Sequence, residues 1–189
     1  MGIGEIGGRR RAVFLDRDGV LNRAVVRGGR PYPPQTLDEV IVEPGTAGCL
    51  AQLEQLGFLL IVVTNQPDVA SGKQQQAVVE AINAHLKSLL PLDDIFVCYH
   101  GKNDGCGCRK PAPGMMLEAA TRHGINLGAS YIIGDRFRDV EAGQAAGCRT
   151  VWIDYAYDEP GPREPADARV ASLEQATAWI LAREGAAAG

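Results

Sequence analysis

Two aspartates in the segment DRDGVLN, residues 16–22, have the types and the spacing for metal-assisted chemistry. Asp16 and Asp18 directly follow the apolar run of residues 12–15, which is typical of a short buried β-strand. Two carboxylates this close repel each other unless a cation or a shared proton lies between them. Since ligands bind beyond the carboxyl ends of strands in open α/β sheets, the pair indicates a hard-metal site with one carboxylate free to react. The alternative interpretation is a solvated turn, because short motifs also occur by chance.

More polar side chains stand at or near the ends of later predicted strands. They are Thr64, Asn65, Lys110, Asp135 and Asp139. In a parallel sheet these groups should converge with Asp16 and Asp18 on one edge. Carboxylates together with a lysine and a hydroxyl suit a magnesium-assisted phosphoryl site, in which Lys110 and Thr64 hold phosphate oxygens.

Apolar runs and helical patterns alternate along the 189-residue chain. This order predicts an α/β fold with a doubly wound, Rossmann-like parallel sheet of about five strands. The Gly- and Pro-rich residues 23–35 are expected to form a loop or short hairpin over the end of the first strand, and the spacing leaves no room for a separate cap domain. The predicted organisation is a single domain over residues 12–183, with flexible ends at residues 1–11 and 184–189.

Charge and hydropathy restrict the partners. The net charge of -4 argues against a nucleic-acid partner, and no apolar stretch approaches the ~20 residues of a membrane helix. The first residues lack a hydrophobic signal core, so we expect a cytoplasmic protein. We also expect a monomer without a membrane partner.

Three cysteines and a histidine crowd into one glycine-rich segment. Cys98, His100, Cys106 and Cys108 offer three thiolates and an imidazole, which is a closed four-ligand set for structural zinc. The alternative is a chance grouping of buried thiols with a surface histidine.

The segments DRDGVLN, VVTNQ, RKP and GDRFRD resemble, in the expected order, the four motifs of the haloacid dehalogenase superfamily of phosphatases. The resemblance implies that Asp16 is the nucleophile, which forms an aspartyl-phosphate. It implies that Asp18 is the general acid for the leaving group and then the base for water. Magnesium would be held by the Asp16 carboxylate, the Asp18 backbone carbonyl and Asp135, with Asp139 in support.

The pattern CxH…CxCRKPxPGM resembles a cap-less branch whose members dephosphorylate heptose bisphosphates or histidinol phosphate. The resemblance implies that Asn65, Arg109 and Lys110 line the substrate pocket. Arg109 beside Lys110 would give a second anion site, because guanidinium binds phosphate as a bidentate fork. This favours D-glycero-D-manno-heptose 1,7-bisphosphate, cleaved at its 7-phosphate in the biosynthesis of nucleotide-activated heptose. The short segment between His100 and Cys106 instead favours the histidinol-phosphate type.

The sequence therefore predicts a magnesium-dependent phosphatase of a small phosphorylated sugar. One alternative is a nucleic-acid end phosphatase, against which the acidic balance and the lack of a basic-aromatic stripe argue. Another is a zinc-loop interaction module on a catalytically inactive scaffold. The intact set of charged motif residues argues against that alternative, because an inactive scaffold has no need to keep like charges at one site.

Overall fold

A computed structural model describes residues 10–187 of the chain. The strands are β1 (Arg11–Leu15), β2 (Val25–Arg27), β3 (Arg30–Tyr32), β4 (Phe58–Asn65), β5 (Asp94–Cys98), β6 (Tyr131–Gly134), β7 (Arg149–Ile153) and β8 (Ala168–Val170). The helices are α1 (Thr46–Gln55), α2 (Gln76–Leu89), α3 (Gly114–His123), α4 (Phe137–Ala146) and α5 (Leu173–Ala187), with short 3-10 turns at Leu37–Glu39 and Leu127–Ala129. No helix among these described residues has the length and apolar content to cross a membrane.

The central sheet has six parallel strands in the order β5-β4-β1-β6-β7-β8. The α/β fold with a parallel sheet of about five strands is confirmed, and the sheet has six. The additional strand is β8, whose three residues pair with β7. It follows a proline-rich segment and is too short to show an apolar run, so nothing local distinguished it from a loop.

Both faces of the sheet are buried, which explains why its strands are apolar without interruption. In β1, Val13 and Leu15 pack into one cluster with side chains of α1, α2 and α5. Ala12 and Phe14 point the other way, into a second cluster with side chains of α3 and α4. The strand β1 has β4 on one side and β6 on the other, so the chain direction across the sheet reverses there. Ligand crevices form at such switch points.

Residues 23–35 were expected to form a loop or a short hairpin, and they contain a hairpin. Strands β2 and β3 pair antiparallel around Gly28 and Gly29, whose φ angles are 56° and 74°. Positive φ at both central residues is the requirement of a tight hairpin turn, and glycine meets it without steric cost.

The ends of the described chain differ from the expected flexible segments. Arg11 already belongs to β1, and α5 continues through Ala187, past the predicted boundary at residue 183. The extension has a tertiary cause, since Glu184 pairs with Arg11 and accepts a 2.6 Å hydrogen bond from the Tyr131 hydroxyl. The remaining parts of both predicted flexible ends, residues 1–9 and 188–189, lie outside the described residues.

Candidate active site

Three aspartates meet at the carboxyl edge of the sheet. Asp16 follows β1, Asp135 follows β6, and Asp139 lies in the first turn of α4. Each offers a carboxylate oxygen within 4.8 Å of the others, and all three side chains are buried. The backbone N–H of Asp16 donates to the Ile133 carbonyl at 3.0 Å, which fixes β1 against β6 just before the cluster.

Burial of like charges shifts the acidity of this cluster. Burial and the Asp139 charge raise the pKa of Asp16 to about 6, although Lys110 opposes the shift. Burial, followed by the charges of Asp16 and Asp139, raises the pKa of Asp135 well above its ordinary value. Neither oxygen of Asp135 accepts a hydrogen bond from the described residues. Buried, unpartnered carboxylate oxygens are the expected environment of a hard cation such as Mg²⁺.

Lys110 supplies one positive charge to the cluster. Its ammonium lies 2.9 Å from Asp16 Oδ1 and 2.5 Å from Asp139 Oδ1, and it donates to the Val63 carbonyl at 2.6 Å. Burial would lower the pKa of Lys110, but the carboxylates of Asp139 and Asp16 raise it above its ordinary value. With all three carboxylates ionised, Lys110 leaves a net charge of -2 in the cluster, which one Mg²⁺ ion would balance. The donor set therefore fits this metal.

The close approach of backbone and carboxylate requires glycine at position 19. Gly19 has a φ of 92°, and a Cβ there would overlap the Asp135 carboxylate. The turn after Asp18 is therefore shaped by the cluster as well as by the strand end.

Asp18 is held by a hydrogen-bond network that the motif spacing did not predict. Arg17 donates to both carboxylate oxygens at 3.1 and 2.9 Å, and Asn22 and Gln66 donate at 3.0 and 2.9 Å. Arg17 is fully buried, and its remaining Nη1 donates to Asn83 Oδ1 on α2 at 3.0 Å. These four donors fix the orientation of the Asp18 side chain. Arg17 and Gln66 adjoin motif residues and could have been found there, whereas Asn83 carries no local signal beyond being polar.

Thr64 and Asn65 stand at the end of β4 as expected, and both line a cavity above the aspartate cluster. The Thr64 hydroxyl accepts a hydrogen bond from Gln66 at 3.0 Å. Asn65, which the resemblance places in the substrate pocket, lines the cavity, and its side-chain amide also bonds to the Lys110 backbone in both directions, at 3.0 Å each. This clamp gives Asn65 a positioning contact that spacing alone did not suggest.

A cavity of about 300 Å³ opens above the cluster. Residues Arg30–Pro33 of the hairpin form one wall, and three further arginines line the cavity: Arg109, Arg136 and Arg138. Arg136 pairs with Glu159, also at the wall. Arg109 donates to the His100 carbonyl at 3.2 Å. The sequence analysis singled out Arg109 but not the other cations.

The four predicted zinc ligands also come together, at the end of β5. Cys98 Sγ lies 3.0 Å from Cys108 Sγ, 3.8 Å from Cys106 Sγ and 3.6 Å from His100 Nδ1. A tetrahedral zinc ion with Zn–S bonds of about 2.3 Å separates its sulfur ligands by about 3.8 Å. Burial raises the pKa of Cys98 to about 12 without a metal, so this thiol is protonated at neutral pH in the metal-free protein. The distance between Cys98 and Cys106 matches the sulfur separation of such a site, whereas that between Cys98 and Cys108 is shorter. The four donor types fit a zinc ion, with Nδ1 as the histidine atom that faces the sulfurs.

Comparison of the sequence with known proteins identifies relatives among phosphatases. A family model described as HAD-hydrolase-like matches residues 107–175. The D-glycero-β-D-manno-heptose-1,7-bisphosphate 7-phosphatase of Pseudomonas aeruginosa is 38% identical over 149 residues, which cover 76% of this chain and 81% of the relative. The same enzyme of Escherichia coli K12 is 35% identical over 151 residues, covering 74% and 76%.

A solved structure extends the similarity to three dimensions. The heptose 1,7-bisphosphate phosphatase of Bordetella bronchiseptica, complexed with magnesium and phosphate, superposes with a TM-score of 0.74 and 29% identity, covering 92% of this chain and 99% of that one. The chain belongs to the family of HAD-like phosphatases that includes these heptose bisphosphate phosphatases.

Proposed function

We propose that this protein is a magnesium-dependent phosphatase that removes the 7-phosphate of D-glycero-β-D-manno-heptose 1,7-bisphosphate. The observation that carries the proposal is the buried cluster of Asp16, Asp135 and Asp139, in which Lys110 leaves two negative charges uncompensated. The relatives named for this reaction and the magnesium-bound neighbour support the choice of substrate and metal.

In this proposal Asp16 is the nucleophile. Its Oδ1 accepts a 2.8 Å hydrogen bond from the Arg17 backbone and faces Lys110, so the carboxylate is fixed before substrate arrives. The carboxylate attacks phosphorus, the bond from phosphorus to the sugar oxygen breaks, and an aspartyl-phosphate remains. Thr64 and Lys110 would hold the phosphoryl oxygens as their charge develops.

Asp18 would move the protons of both steps. As an acid it protonates the departing sugar oxygen, and as a base it takes a proton from the water that attacks the aspartyl-phosphate. That attack breaks the bond between phosphorus and Asp16, releases inorganic phosphate and restores the carboxylate. Arg17 donates to both oxygens of Asp18 and would keep this carboxyl group at the cavity edge through both steps.

Asp16, Asp135 and the Asp18 backbone carbonyl would hold Mg²⁺, with Asp139 in support. Bound there, the ion supplies Lewis-acid stabilisation of phosphoryl charge and offsets the repulsion between carboxylate and phosphate. The side chains would hold the ion in place, because β1, β6 and α4 fix them before it binds.

The cysteine loop would hold a structural zinc ion through Cys98, His100, Cys106 and Cys108. The loop immediately precedes Arg109 and Lys110 in the chain. Zinc at this position would restrict the loop and thereby the direction in which the two cations point.

Phosphate release from a panel of substrates tests the proposal. With Mg²⁺ present, heptose 1,7-bisphosphate should give the highest kcat/KM, followed by heptose 7-phosphate, and histidinol phosphate should be poor because its ammonium group would face arginines. Asp16→Asn serves as the blank for contaminating phosphatases. Equal rates on all three substrates, or a preference for histidinol phosphate, would contradict the substrate assignment.

A further inference from the structure

Three arginines that line the cavity form no ion pair within the described residues: Arg30, which is exposed on the hairpin, Arg109 and Arg138. The last two lie together. Arg109 follows the cysteine loop and Arg138 lies in the first turn of α4, so distant parts of the chain bring them to one wall. None of the ion pairs within residues 10–187 includes either arginine. Arg136, which lines the same cavity, differs because Glu159 neutralises it. Positive charge without a partner at a cavity wall is a feature of anion sites.

Arg138 is held in place rather than extended into solvent. Its side chain is partly buried, and its guanidinium lies over the Phe137 ring, 4.7 Å from the centroid. Burial lowers the pKa of Arg138, and the positive charges of Arg136 and Arg109 lower it further. The fold thus holds neighbouring like charges together, an arrangement that a bound anion would relieve.

The two arginines stand where two cavities meet. Both line the catalytic cavity, and both also line a second cleft of about 290 Å³ between the cysteine loop and α4. Lys102 of the loop borders that cleft as well. The junction is therefore cationic. Lys110 also lines both cavities, whereas Asp16 and Asp139 line only the catalytic one.

We propose that Arg138 joins Arg109, at which the sequence predicts a second anion site, in binding the second phosphate of the substrate, and that Arg138 is the specificity-determining residue for a bisphosphate. The proposal rests on the proposed function, since it assumes that the transferred phosphate occupies the Asp16 end of the cavity. Two guanidinium groups can hold a phosphate from two directions through parallel N–H donors. A monophosphate of the same sugar has no group to place there.

The test compares Arg138→Ala with the parent on heptose 1,7-bisphosphate and on heptose 7-phosphate. Loss of one charge-assisted contact should lower kcat/KM on the bisphosphate about 10- to 100-fold. The loss should fall mainly in KM, and the change on the monophosphate should stay within about 3-fold. Arg138→Lys should recover part of the difference, because it restores the charge but not the fork. Arg183→Ala on α5 is the matched control, since it removes the same charge from an exposed arginine that lines neither cavity.

A double variant tests whether the two arginines share one phosphate. Arg109→Ala combined with Arg138→Ala should cost less on the bisphosphate than the product of the single losses, because the second removal acts on a contact already weakened. Equal losses on both substrates, or no loss from Arg138→Ala in a folded protein, would overturn the assignment of Arg138. The parent enzyme is measured first. If it does not favour the bisphosphate over the monophosphate, the proposed substrate is wrong, and this failure is distinguishable from a failure of the Arg138 assignment.

Discussion

The carboxylate cluster and the cysteine loop are both suited to hold a metal ion, but they are built in opposite ways. Asp16, Asp135 and Asp139 come from two strand ends and a helix, and the sheet brings them together. The four candidate zinc ligands come from one strand end and the loop after it, and two of them, Cys106 and Cys108, are partly exposed. Long-range assembly keeps the first site rigid and buried without its metal, whereas the second depends on a short loop.

The electrostatics of the two sites differ as well. Buried carboxylates repel each other and their pKa values rise, as for Asp16 and Asp135, which costs stability, so a cluster of them indicates function more than folding. Thiols can remain protonated and neutral until a metal binds, and the raised pKa of Cys98 agrees with this. We therefore expect substitutions in the first site to act on the chemical steps and substitutions in the second to act on stability and loop position.

The largest expected effect is that of Asp16→Asn. An amide is a much weaker nucleophile than a carboxylate, so kcat should fall by roughly 10⁴-fold or more, as for other lost nucleophiles. The protein should remain folded, because the substitution preserves shape and removes a like charge from the cluster. Phosphate release under saturating substrate and Mg²⁺ measures the effect, and near-normal turnover would rule out the covalent route.

Asp18→Asn should have the next largest effect. The backbone carbonyl stays in place, but proton transfer is lost, which typically costs 10²- to 10⁴-fold in kcat. Its size should depend on the leaving group, because a phosphate ester of an acidic phenol leaves without a proton. The comparison uses kcat/KM on the sugar phosphate and on such a phenyl phosphate, because this ratio reports the steps up to departure of the leaving group and not the later hydrolysis. The same loss of kcat/KM on both would mean that Asp18 is not the acid.

Cys106→Ser should separate the two sites most clearly. The expectation is loss of bound zinc and a lower unfolding temperature, with kcat within about 10-fold of the parent and a larger effect on KM, because the loop positions substrate-binding groups but supplies no reacting atom. Elemental analysis and a thermal melt measure both quantities on protein purified without chelators. Zinc-free parent protein would remove the zinc assignment and leave the phosphatase assignment intact.

The smallest expected effect is a pH-dependent stabilisation by Mg²⁺. In the metal-free protein the pKa of Asp16 is raised from 3.8 to about 6, so the folded state binds the proton more tightly than the unfolded state. Stability from this group is complete below the unfolded value and is lost as pH rises through about 6.

Added Mg²⁺ should therefore raise the melting temperature by a few degrees near pH 7.5 and by less near pH 5, roughly in the range expected for a stability change of 1 or 2 kcal/mol. Thermal melts with and without the ion provide the measurement. The variant Cys106→Ser should show the same dependence on Mg²⁺, and an equal shift at both pH values would contradict the account of Asp16.

Local patterns predicted much of this molecule. The rule that strand ends meet at one edge brought Asp16, Thr64 and Asp135 into one site, and ligand spacing identified the cysteine cluster. The strand β8 was missed because three residues without an apolar run carry no signal. The hydrogen bond from Arg17 to Asn83 and the position of Arg138 at the cavity wall depend on side-chain directions and on contacts across long sequence separations, which motifs do not encode.

The central claim is that phosphate passes through a covalent bond to Asp16, and trapping that bond tests it most directly. Asp18→Asn protein, which lacks the base for hydrolysis, is mixed with Mg²⁺ and an excess of a phosphate ester of an acidic phenol, whose departure needs no proton. The mixture is quenched in acid within the first turnover, digested and analysed by mass spectrometry. The account predicts that the peptide containing Asp16 gains the mass of one phosphoryl group, and that Asp16→Asn protein shows no such gain. Turnover without any phosphorylated peptide, or a phosphoryl group on a different residue, would contradict it.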